Sequence, residues 1–95
     1  MAVTILIKRK IRENAAAELD LLLRKLRSLT VNEMGYITGE TLRRVDEKGE
    51  SLVVSIWQSL DAWRKWTQNE ERIELQNEID RLIGKPTQYE IYENV

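Results

Sequence analysis

The stretch SLVVSIW, residues 51–57, constrains the fold more than any other part of this sequence. Its β-branched residues and two-residue period mark a strand, with Leu52, Val54 and Ile56 on one face and Val53 and Trp57 on the other. A strand that is apolar on both faces has to be covered on both sides. Residues 3–11 read the same way, with Val3, Ile5, Ile7 and Ile11 on one face and Leu6 beside Thr4 on the other. Two such strands belong at the centre of one sheet, and a chain of 95 residues has little left to cover it.

The remaining segments supply one helical layer. A helix begins at or near Asn14 and carries the stripe Ala15, Leu19, Leu22, Leu23 and Leu26, ending near Asn32 and Gly35. Residues 36–45 form a more polar strand in which Gly39 is expected to mark a bulge, and Gly49 closes the hairpin loop DEKGE. Ser59 caps a short helix bearing Ala62, Trp63 and Trp66. Asn69 caps a longer one that runs to about Ile83, where Gly84 and Pro86 stop it. Residues 87–93 are a last strand, with Tyr89 and Ile91 opposite Tyr92. The order is β-α-β-β-α-β with its second helical region split, an α+β ferredoxin-like sandwich over residues 1–95 as one domain. Strands one and three are central in that arrangement, as their two apolar faces require. Helices cover one sheet face only, and a second copy of the chain is the simplest cover for the other, giving a homodimer through the sheet face.

Composition excludes several kinds of chemistry. Fifteen basic against 16 acidic residues leave a net charge of −1, so no broad positive field awaits nucleic acid. The basic run Lys8-Arg9-Lys10 with Arg12 is expected to be a solvated strand end. No cysteine is present, which suits a reducing cytoplasm and rules out thiolate chemistry. No histidine is present either, which removes the commonest metal ligand and the usual proton shuttle. MAVTILIKRK is too short and too soon basic for an export signal, and no apolar run nears the ~20 residues of a membrane helix. A cytoplasmic protein without membrane contact is expected.

The segment SIWQSLDAWRKWTQNEERIELQNEI, residues 55–79, resembles the antibiotic biosynthesis monooxygenase domain. That pattern is a strand ending in Trp, a Ser-containing turn, and a helix with an aromatic and a Trp three residues apart; here Trp57, Ser59, Trp63 and Trp66. The resemblance implies a dimeric α+β barrel with a ligand cavity between sheet and helices in each subunit. Members include cofactor-independent quinol and polyketide monooxygenases and haem-degrading enzymes. The Asn, Trp and His of the haem-degrading site fall here on Ile7, Trp66 and Gln76, which argues against haem degradation and for no cofactor.

The expected ligand-binding set is Trp66, Gln76, Trp63, Ile7 and Tyr36, with no metal site. Trp66 and Trp63 lie about 300° apart on a helical wheel and so share one side of their helix. Gln76 falls inside the apolar arc of Ile73, Leu75, Ile79, Leu82 and Ile83, where it either meets a polar ligand or bonds a backbone group or water. Tyr36, Tyr89 and Tyr92 are the phenols available to a cavity. Glu70, Glu71, Glu74, Glu78 and Asp80 alternate with Arg72 and Arg81 and read as a solvated, salt-bridged face rather than a metal cluster. Two functions follow: a cofactor-independent monooxygenase acting on a small electron-rich aromatic such as a quinol, or a non-catalytic ligand-binding or structural homodimer of the same fold. No residue declares itself the general base of the first.

Overall fold

The computed structural model describes residues 1–95, with every side chain except that of Glu13. In chain order it contains β1 (Val3–Lys10), a 3-10 turn (Glu13–Ala15), α1 (Ala16–Thr30), β2 (Tyr36–Arg43), β3 (Glu50–Trp57), α2 (Leu60–Thr67), α3 (Glu70–Ile83) and β4 (Gln88–Glu93). The four strands form one antiparallel sheet in the order β2-β3-β1-β4, which places the two doubly apolar strands at the centre. This is the ferredoxin-like α+β arrangement with its second helical region in two pieces.

Capping explains the break. The Ser59 hydroxyl accepts from the Ala62 amide at 3.1 Å and starts α2, and the Asn69 side chain accepts from the Arg72 amide at 3.0 Å and starts α3. Gly84, at φ 85°, ends α3 in the left-handed conformation that glycine adopts without a steric penalty. Asn14 does not cap α1; it sits in the preceding 3-10 turn, and the cap position is Ala15, which makes no side-chain bond.

Register assigns the faces. Ile5 lies opposite Ser55 and Ile91, Ile7 opposite Val53 and Tyr89, and Arg9 opposite Ser51, so these side chains share the helical side. The irregularity in β2 falls between Tyr36 and Thr38 and not at Gly39. Gly39 has another role: a Cβ there would lie 2.7 Å from the Tyr36 hydroxyl, so its bareness lets the phenol lie along the strand.

Two apolar clusters hold the helices down. Val3, Ile5, Trp57, Trp63 and Trp66 form the first, and Leu19, Ile79 and Ile83 the second, with Leu26 packed against both. On the opposite sheet face, Leu6, Leu52, Val54 and Ile56 are only half-buried and join neither cluster, and Leu42 and Tyr92 are exposed. Among the described residues no helix is long and apolar enough to cross a membrane.

Candidate functional site

A cavity of about 420 Å³ opens between the helical side of the sheet and the three helices. Its size is that of a small-molecule site. Trp66, Gln76, Trp63, Ile7 and Tyr36 all line it, so the structure brings together the five residues picked out from the sequence. Tyr92 is on the opposite face, exposed and bonded to Glu90.

Aromatic rings make one wall. Trp57 is fully buried and stacks on Trp66 at 6.3 Å, with Trp63 and Tyr36 edge-on to it at 5.7 and 5.4 Å. The Trp57 ring N–H donates to the Ser55 hydroxyl at 2.8 Å, which satisfies the polar atom of an otherwise apolar anchor.

The polar part of the lining comes from Arg9, Arg72 and Gln76, and the local charge pattern points the wrong way there. Arg9 is not solvated: it is 6% exposed and lines the cavity. It keeps the odd-numbered parity of Val3, Ile5 and Ile7, and that parity is the signal of its direction. Arg72 does not join a surface ion-pair face. It is 7% exposed, and its guanidinium lies 5.6 Å from the Trp63 ring, 6.0 Å from Trp66 and 5.6 Å from Tyr89, whose hydroxyl accepts from it at 2.9 Å. The buried stripe of α3 is Arg72, Gln76, Ile79 and Ile83, whereas Ile73 is 38% exposed. The helix thus turns a polar first half into the cavity and an apolar second half into the core.

Gln76 is engaged by side chains rather than by backbone groups. Its Nε2 donates to Asp80 Oδ1 at 2.8 Å and to the Thr87 hydroxyl at 2.7 Å, and Oδ1 also accepts from the Thr87 amide at 3.1 Å and hydroxyl at 2.7 Å. Those acceptors fix the amide so that Oε1 faces Arg9, accepting from Nη2 at 3.2 Å. Asp80 is therefore structural rather than part of a solvated acidic face. Among the described residues no group of three or more acidic side chains is placed to hold a metal.

Electrostatically the interior is cationic. Neither Arg9 nor Arg72 forms a salt bridge among the described residues. The lining carboxylates, Asp20 and Glu40, are exposed at the mouth, and Asp20 is paired with Arg24 at 2.8 Å. Burial pulls the Arg9 pKa down; Tyr89 and Asp80 pull it back, and the like charge of Arg72 adds to the fall. Burial likewise pushes the Tyr89 phenol up, against the opposing influence of Arg72 and Arg9, so it is a proton donor at neutral pH. The donor set does not suit haem: no histidine or cysteine is present, and Gln76 has both ends of its amide engaged.

The sequence model of the family described as antibiotic biosynthesis monooxygenase matches residues 2–78. A conserved protein from Methanosarcina mazei Go1 superimposes with a TM-score of 0.92 at 16% identity, over 100% of this chain and 94% of that one. SnoaB, a cofactor-independent oxygenase from Streptomyces nogalater, gives 0.85 at 15% identity over 99% and 93%. Rv0793 from Mycobacterium tuberculosis gives 0.87 at 17% identity over 100% and 96%. At these identities the likeness establishes the fold. No curated protein matches the sequence significantly.

Proposed function

This chain belongs to the antibiotic biosynthesis monooxygenase family, and we propose that it is a cofactor-independent monooxygenase of a small electron-rich aromatic such as a quinol. The observation that carries the reading is the cavity itself: about 420 Å³, lined by three tryptophans and two buried guanidinium groups. The likeness to SnoaB supports the reaction type and leaves the substrate open.

The chemistry needs little from the protein beyond placement and charge. An ionised quinol gives electrons to dioxygen directly. In the balanced reaction a hydroquinone and O₂ yield a hydroxyquinone and water: one oxygen atom enters a ring C–H position, and the other leaves with two hydrogens. Trp66 and Trp63 stack against the ring, and Ile7 and Tyr36 close the sides. The carbonyl of Gln76 is held by its network, and the guanidinium groups face the negative charge that grows on oxygen. A substrate that fills the cavity displaces its water, which strengthens those interactions.

The same reading places a second copy across the outer sheet face. Leu6, Leu52, Val54 and Ile56 support it, because their alternation would otherwise leave an apolar strip without cover.

Oxygen consumption by the pure protein against a panel of quinols tests the activity. Uptake above the uncatalysed rate, with hydroxyquinone as product, is expected for at least one compound. Background rates throughout would leave the second reading, a ligand-binding homodimer without chemistry. One observation favours that second reading: among the described residues no carboxylate reaches the interior, and Tyr89 is held protonated, so none of them is a resident base.

A further inference from the structure

We propose that the cavity takes its ligand as an anion: an aromatic bearing an oxygen already ionised at neutral pH, a carboxylate or an acidic phenol, held on the free edge of Arg9 with Arg72 beside it. This rests on the cavity being a ligand site, and it is independent of any oxygen chemistry.

The first support is an unmet donor. Arg9 is 94% buried by its 6% exposure, and its Nε is the one buried side-chain polar atom without a hydrogen-bond partner among the described residues. Buried donors are normally satisfied, and an orphan on a charged group costs more than one on a neutral group. The second support is the charge count. Two guanidinium groups enter one enclosed space, close enough that Arg72 depresses the Arg9 pKa, and among the described residues no carboxylate enters the interior in return. The nearest acid, Asp80, already accepts from Gln76 and twice from Thr87, and reaches Arg9 only through the Gln76 amide. The guanidinium groups stay charged at neutral pH, so an anion is the missing counterpart. The third support is the shape of the wall. Arg72 lies 5.6 Å from the Trp63 ring and 6.0 Å from the Trp66 ring, so a flat anion bound beside these indoles has a guanidinium within reach of its oxygens.

This also accounts for the absent base. A ligand that enters ionised requires no proton acceptor, and a cationic cavity keeps it ionised.

Two calorimetric or spectroscopic arms test the proposal and separate the two sources of the oxyanion. In the first, 2-naphthoate is compared with its neutral isostere 2-naphthamide by titration calorimetry. In the second, 4-nitrophenol is titrated by absorbance with and without excess protein. The carboxylate case predicts that naphthoate binds at least about tenfold more tightly. The phenolate case predicts that bound nitrophenol ionises about one pH unit lower, which is the same tenfold preference for the anion. Either preference should vanish in Arg9→Met and persist in Arg9→Lys, which keeps the charge; neutral 2-naphthamide, whose binding should change little, reports that the cavity still forms. Equal affinity for charged and neutral probes, binding of none of them, or a preference unchanged in Arg9→Met overturns the inference. Quinol oxidation without anion preference overturns it and leaves the oxygenase reading intact. Anion preference without oxygen uptake supports it while counting against that reading.

Discussion

Replacing Arg9 with methionine should stabilise the ligand-free protein. Arg9 and Met have comparable unbranched stems, so the change removes the charged head and leaves most of the packing. Three effects decide the sign. Relief of the unpartnered Nε is worth about 1–3 kcal/mol, and relief of burying the cation adds to it. Against these stands the lost bond to Gln76 Oε1. At 3.2 Å it is longer than the ~2.7–2.9 Å of a strong charge-assisted bond, so the loss lies near the low end of about 1.5–3 kcal/mol. The cavity gives water access to the freed carbonyl, which limits the loss further. The net expectation is a gain of about 1–2 kcal/mol, within the range found when buried charges become apolar. For a chain of this size that raises the melting temperature by roughly 5–10 °C. Thermal and urea unfolding followed by circular dichroism measure it, with protein concentration fixed because self-association shifts both. A loss of more than about 1 kcal/mol in Arg9→Met would mean that Arg9 is a structural strut, and the reasoning from its unmet donor would fail.

Other outcomes follow from particular contacts. Gly35 has φ 89°, and a Cβ there would collide with that of Ala62, so Gly35→Ala should cost at least about 2 kcal/mol from backbone strain and collision together; a urea midpoint unchanged from wild type would refute this. Tyr89 holds its proton more tightly folded than unfolded, so its contribution is full below the ordinary tyrosine value of 10.0 and is lost as pH rises through the higher folded value. Alkaline unfolding should therefore be shallower in Tyr89→Phe, and identical profiles would show that the phenol is not linked to folding. Val54→Glu puts a charge on the outer sheet face and should turn a sedimenting dimer into an 11.2 kDa monomer; a wild-type chain that already sediments as monomer would remove the second copy from the proposal.

Alternation and capping made most of the fold legible. Both faces of β1 and β3 announce their central positions, and Ser59, Asn69 and Gly84 mark three helix ends where they occur. The aromatic half of the cavity was legible too, since Trp63 and Trp66 share a helix side with nowhere to go but inward. The polar half was not, because composition and periodicity disagreed there. Arg9 lies in a run of basic residues, and Arg72 lies among glutamates at salt-bridging spacing; local charge pattern argues for solvent in both cases. Position argues the reverse. Arg9 continues the parity of Ile5 and Ile7, and Arg72 stands four residues before Gln76 and seven before Ile79 on the buried side of α3. What decides is tertiary: an aromatic wall close enough to receive a guanidinium face, and a cavity that makes an inward charge bearable. Neither condition can be read from one helix or one strand.

The same alternation ties the cavity to the outer face. Along β1, Ile5, Ile7 and Arg9 point to the helical side while Thr4, Leu6 and Lys8 point away, and along β3 Val53 and Ser55 oppose Leu52 and Val54. A slip of one residue would carry Arg9 to the outside and put Lys8 or Lys10 in its place, exchanging a planar, fixed guanidinium for a flexible ammonium. Cover over Leu6, Leu52, Val54 and Ile56 penalises that slip, because it would bury the Arg9 guanidinium against apolar neighbours. Association through the outer face would therefore hold the register that aims Arg9, even though no residue of that face touches the cavity.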